Sequence, residues 1–187
     1  MSAPMMAAPA QQVLFTGLAL LCAGVASIYD LRERRIPNRL TGPVLLAGLL
    51  LHGVLGGWPG CGSSALAALG GGIVFLVFFL AGGMGAGDVK LMAAVGSLAG
   101  LASLEMVLLM TVLAGGVFAV VLATYKGQLR QTLRNTGDLI VHHGQRGFAP
   151  HPLLNLGNAE TLRLPFALPI AAGCLISFCT LAWGAGA

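Results

Sequence analysis

Apolar residues fill this chain in stretches close to the length that crosses a bilayer, and polar residues are left to the gaps between them. The runs lie at roughly 10–29, 40–57, 64–82, 89–104, 106–125 and 164–183. A helix needs about 20 apolar residues to span the hydrocarbon core, and only helices or closed barrels satisfy their backbone polar groups there. The runs are continuous, without the alternation of a barrel strand. The pattern therefore predicts an all-α fold, a polytopic membrane helix bundle of about six transmembrane helices, formed as one domain over residues 1–187. Gly70, Gly71, Gly72, Gly82 and Gly83 stand within or beside these runs, where small residues let helix backbones approach closely.

Composition strengthens the membrane reading. The chain is 57% hydrophobic and 9% charged with a mean hydropathy of +0.88, whereas soluble domains carry about 25% charged residues. The flank before the first run, MSAPMMAAPA, has no Lys or Arg, so that run reads as a retained helix rather than a signal peptide. Cys22 follows Leu20 and Leu21 and lacks the small residue that precedes a lipidated cysteine. With Cys61, Cys174 and Cys179 it forms no CxxC pair, which predicts packing for most of them and an exposed thiol at Cys61.

Charge then gives an orientation. The basic residues are Arg32, Arg34, Arg35, Arg39, Lys90, Lys126, Arg130, Arg134, Arg146 and Arg163, and on a six-span chain all of them fall on one side. By the positive-inside rule that side is cytoplasmic. The turns near Trp58 to Ser63 and at Glu105, together with both termini, are then external, and Asp30 and Asp88 share the cytoplasmic face. The basic cluster at Arg32 to Arg39 is expected to face anionic lipid; no nucleic-acid partner is expected.

Six carboxylates are present, and an ionisable group at a membrane helix end is expensive enough to suggest a role. Asp30 closes the first run. Asp88 sits in GMGAGDVKLM, between a glycine-rich stretch and the short run from Val89 to Leu104, at a helix N-terminus that favours an anion. Two carboxylates that approach closely cannot both ionise freely, and the pair titrates as a unit. Such a pair can hydrolyse a peptide bond: the ionised member takes a proton from water while the protonated member donates to the carbonyl oxygen. Gly85 and Gly87 remove side-chain bulk beside Asp88 and leave room for a substrate strand.

Plainer readings compete. Asp30 and Glu33 have capping-box spacing, and Asp88 could merely cap a helix. GMGAGD lacks the GK[ST] of a phosphate loop. His142, His143 and His151 lie in the loop 126–163 without HExxH spacing, so no metal and no cofactor is expected. Asp138 and Glu160 in that loop are given no catalytic role. Lys90 is expected to snorkel or to position rather than to react.

Taken together, the segments Asp30, Arg35, Ile36, Pro37, Asn38, Leu40, Thr41 and Gly85, Gly87, Asp88, Lys90, Leu91 resemble the prepilin peptidases of the GxGD aspartyl protease class. A looser match is LRLPFALPIAAG, through Pro165, Phe166, Pro169 and Gly173. The resemblance implies Asp30 and Asp88 as the catalytic pair, with Gly85, Gly87, Lys90, Pro37 and Asn38 binding substrate or shaping the site. It also implies a bacterial inner-membrane peptidase whose partner is a prepilin or pseudopilin precursor, cut after a glycine at the cytoplasmic face. Larger members carry an N-terminal cytoplasmic segment with paired cysteines; its absence here resembles the short Flp/Tad-type form, expected to cleave without methylating. Two alternatives are a presenilin-like intramembrane protease, on Tyr29-Asp30 and GxGD, and a small proton-coupled transporter using both aspartates as relays. The transporter predicts paired repeats and helices interrupted near mid-membrane, which the sequence does not display.

Overall fold

A computed structural model of the chain describes residues 9–81, 84–127 and 165–186, with Arg130 and Arg134. Gly82, Gly83, Asp138, His142, His143, Arg146, His151, Glu160 and Arg163 lie outside the described residues. Those described form four helices, α1 (Pro9–Glu33), α2 (Asn38–Leu80), α3 (Ala86–Tyr125) and α4 (Ala167–Gly186), with no strand among them. Each helix is long and apolar enough to cross a membrane. The all-α expectation therefore holds, with four continuous elements where hydropathy gives six runs.

Two glycines account for the difference. At about 1.5 Å per residue, α2, with its 43 residues, would be about 64 Å long if straight, roughly twice the hydrocarbon thickness. It is not straight: Gly57 takes φ 61 and ψ −153, and beyond it a Cβ on Gly60 would strike the His52 carbonyl oxygen, while one on Gly53 would lie 3.7 Å from the Cys61 Cβ. Residues eight apart on a straight helix are separated by about 12 Å, so α2 doubles back. Gly100 does the same for α3 with φ 72 and ψ 171. On either side of it, Met92 and Leu104 both pack on Gly71, at 3.1 and 3.4 Å from its added Cβ. Side chains rarely adopt these torsions, and glycine reaches them without a Cβ clash. The second reversal thus falls at Gly100 rather than at Glu105, because φ decides it and polarity does not; Glu105 is an exposed position within the helix.

The broken backbone at Gly100 is repaired by α2. His52 Nε2 lies 3.0 Å from the Leu98 carbonyl, and the Leu101 N–H donates to Ser63 Oγ at 3.2 Å. Phe15 of α1 stacks on the His52 ring, with centroids 4.2 Å apart. Nearby, Ser97 Oγ donates to the Leu45 carbonyl and Ser64 Oγ to the Ser97 carbonyl, both at 2.8 Å. These side chains supply the partners that a break in the helix would otherwise lose.

The most extensive packing is α2 on α3; α4 packs on α3 and α1, and α1 scarcely touches α2. Leu91, Met92, Val95, Val107, Ile170 and Cys174 fill the centre with Ala19, Ala23 and Ala26 of α1. Leu46, Leu50, Leu109, Val112, Val117 and Val121 face outward, an apolar surface suited to lipid. Cys22 and Cys174 are buried free thiols, Cys61 is half-buried, and Cys179 is exposed.

Glycine contacts set how closely α2 and α3 approach. A Cβ on Gly96 would come 2.5 Å from the Ala67 carbonyl oxygen, whereas one on Gly116 meets nothing within 4 Å. Gly96→Ala is therefore expected to lose about 1–3 kcal/mol, the usual range for overpacking, and Gly116→Ala almost nothing. Thermal unfolding in detergent checks this; equal midpoints for the two variants would mean that the helices do not meet at Gly96.

Candidate active site

The α1–α2 connection and the first turn of α3 meet although they are far apart in sequence. Helix α1 stops at Arg34, whose φ of 52 is left-handed and whose N–H bonds the Asp30 carbonyl at 3.0 Å. This is the single-bond left-handed helix stop usually made by glycine. Pro37, extended at φ −72 and ψ 137, then opens α2, and its carbonyl accepts from the Leu40 N–H at 3.0 Å. Four residues, 34–37, therefore separate the last turn of α1 from the first residue of α2.

Asp88 lies in the first turn of α3, 8% exposed. Its Oδ2 accepts the Gly85 N–H at 3.1 Å, and its own N–H bonds the Gly85 carbonyl at 3.1 Å. This is one half of a capping box, since Gly85 has no side chain to return the bond. The capping expected of Asp88 as a plain reading is thus real, and it occupies one carboxylate oxygen.

Asp30 is placed differently from its own plain reading. It is no N-cap: Asp30 and Glu33 both lie at the end of α1, so the capping-box spacing is not used. Its side chain is half-buried, with Oδ2 enclosed and without a partner. The backbone N–H of Ala167, the first residue of α4, faces the carboxyl group. Asp30 and Asp88 are near enough for their negative charges to repel.

The neighbouring residues join the two segments. A Cβ on Gly87 would lie 3.3 Å from the Ile36 side chain, so the missing side chain permits the approach. Lys90 Nζ donates to Asn38 Oδ1 at 2.9 Å. Lys90 therefore has a protein partner where snorkelling needed none. Asp30, Pro37, Asn38, Gly85, Gly87, Asp88 and Lys90 thus gather at one end of the bundle. The third segment contributes through Ala167, while Phe166 and Pro169 pack into the core and Gly173 admits Thr111. No group of three His, Cys, Asp or Glu that could hold a metal ion occurs among the described residues.

One important residue escapes the sequence reading: His52, which stitches the Gly100 break at the opposite end. The signal was available, since His52 is an ionisable side chain inside an apolar run.

Comparison with known proteins bears on the assignment. A family model described as the type IV leader peptidase family matches residues 17–120. A prepilin leader peptidase/N-methyltransferase of Aeromonas salmonicida (strain A449) is 37% identical over 98 residues, 49% of this chain and 33% of that protein. One of the same description from Burkholderia pseudomallei (strain 1026b) is 34% identical over 119 residues, 59% of this chain and 38% of that protein. The chain thus matches little more than a third of the length of these curated relatives. No solved structure matches significantly.

The Asp88 cap separates stability from chemistry. Asp88→Ala leaves the Gly85 N–H without its acceptor and is expected to lose about 1–3 kcal/mol. Asp88→Asn keeps an amide oxygen at that place and is expected to hold the parent's unfolding midpoint. A midpoint for Asp88→Asn as low as that of Asp88→Ala would mean that the charge, rather than the bond, holds the turn.

Proposed function

The chain belongs to the type IV leader peptidase family, and from that premise we propose that it is a membrane aspartic endopeptidase acting on pilin-like precursors. The supporting observation is the meeting of the two aspartate-bearing segments, Ile36 on Gly87 and Asn38 on Lys90, which puts Asp30 within range for its charge to act on the Asp88 carboxyl group. One carboxylate, ionised, takes a proton from water as it attacks the scissile carbonyl; the other, protonated, donates to the carbonyl oxygen. The capped oxygen of Asp88 fixes that carboxyl group, leaving its other oxygen for the reaction. Gly85 and Gly87 keep the approach clear for a substrate strand.

The membrane arrangement that serves this chemistry has six crossings: α1, each half of α2 and α3, and α4. The four Trp and Tyr side chains support it, all being exposed: Trp58 and Trp183 at one end of the bundle, Tyr29 and Tyr125 at the other. Amphipathic aromatic rings favour the two interfaces. Every described basic residue then falls on the Tyr29 side, so by the positive-inside rule the aspartates face the cytoplasm, where a precursor anchored by its apolar helix presents its basic leader. The Gly57 and Gly100 breaks turn the chain around at the far interface. They do not make the mid-membrane half-helices that a proton-coupled transporter would need.

Asp30→Asn and Asp88→Asn are each expected to abolish cleavage of a pilin-like precursor by the purified chain, because an amide cannot exchange the pair's proton. Precursor processing on gels, with unfolding midpoints as control, checks this; near-parent turnover by either variant removes that residue from the pair. Chelators are expected to leave activity unchanged, and activity lost to chelation and restored by zinc would redirect the chemistry to a metal. A reporter fused at Gly144 is expected to read cytoplasmic and one after Ala187 external; both on one side would break the six-crossing arrangement.

A further inference from the structure

Asn38 is the first residue of α2, yet α2 has no side-chain cap and no acid in its first turn. The Asn38 side chain turns away from its own helix, and its Oδ1 accepts from Lys90. We propose that Lys90 is a positioning residue: its bond to Asn38 sets the first turn of α3 against the start of α2 and so fixes the spacing of Asp88 and Asp30. Its value for catalysis rests on the aspartate-pair reading above; the tie itself does not.

The connectivity makes the tie effective. Lys90 stands two residues beyond Asp88, and Gly87, one residue before it, packs on Ile36. Asp88 is thus bracketed by two contacts with the same short connection. On the other side, the left-handed stop at Arg34 and the extended Pro37 leave little slack between Asn38 and Asp30. A slip at Lys90–Asn38 is therefore carried to both carboxylates.

Magnitudes separate this role from ordinary structural support. The bond is solvent-exposed, and exposed polar pairs add little to stability. Catalysis is far less tolerant, since a displacement of about 1 Å can reduce the rate by roughly 10²-fold. Loss of the tie should leave the unfolding midpoint almost unchanged and appear in kcat.

The test is a double-mutant cycle on the full chain in lipid nanodiscs with a pilin-like precursor. Lys90→Met and Asn38→Ala are each expected to lower kcat by about 10- to 100-fold with KM and the unfolding midpoint near the parent's. The double variant should be no worse than the poorer single, because both cut one bond. Asn38→Asp, which keeps an acceptor oxygen for the ammonium, should restore kcat. Multiplicative losses, a loss confined to KM, or no rescue by Asn38→Asp would overturn the proposal. A second measurement needs no activity: spin labels at the exposed positions Arg35 and Ala86, with Cys61 and Cys179 replaced by alanine. The label distance should broaden in Lys90→Met and return to the parent distribution in Asn38→Asp. An unchanged distribution in Lys90→Met overturns the tie even if cleavage proceeds, whereas cleavage by the Asp→Asn variants overturns the functional reading and leaves this distance test standing.

Discussion

A break in a helix frees backbone groups that must find other partners, and this chain breaks α2 and α3 each at a single glycine. At Gly100 the freed groups are taken up by His52 and Ser63, both carried on α2. The repair is specific because it needs α2 and α3 in one register. The same register seats Gly48 on Ser97, Gly71 on Met92 and Gly96 on Ala67. Hydrogen bonding at the far end and glycine contacts along the seam thus act together. If the reversals slipped, the starts of α2 and α3 would not return to the same end of the bundle.

That return makes the candidate site. Asp30 arrives on the last turn of α1 and Asp88 on the first turn of α3, and each meets the start of a helix: Ala167 opens α4 beside Asp30, and Gly85 caps α3 under Asp88. Backbone N–H groups at helix starts favour anions, which offsets part of the cost of withdrawing two carboxylates from water. One acid alone would be adequately explained by capping. Two, brought within range of each other by segments that also pack through Ile36 and Lys90, suit acid–base chemistry on one substrate.

The helical class was legible in the long apolar runs, and the candidate residues stood out because membrane composition leaves few polar side chains. Asp30, Asp88 and the glycines before Asp88 could be singled out from their types and positions, and the family resemblance joined them into one candidate site. The element count was not legible in the same way. A hydropathy run ends where polarity rises, but these reversals depend on φ at Gly57 and Gly100, and many other glycines in the chain look alike in sequence. The Lys90–Asn38 bond was likewise hidden, because a lysine at a membrane edge is expected to reach for lipid headgroups and nothing local points to an asparagine on another helix. His52 was overlooked because the apolar residues around it set the reading for the whole run.

The central claim is that Asp30 and Asp88 act as one pair with one member ionised and the other protonated. The pH dependence of kcat/KM for precursor cleavage tests it most directly, because such a pair must lose activity both when the base is protonated and when the acid is deprotonated. A bell-shaped profile with two limbs is the result this account predicts. A profile that rises through a single ionisation and stays flat to alkaline pH would contradict it, since no protonated carboxyl group would then take part.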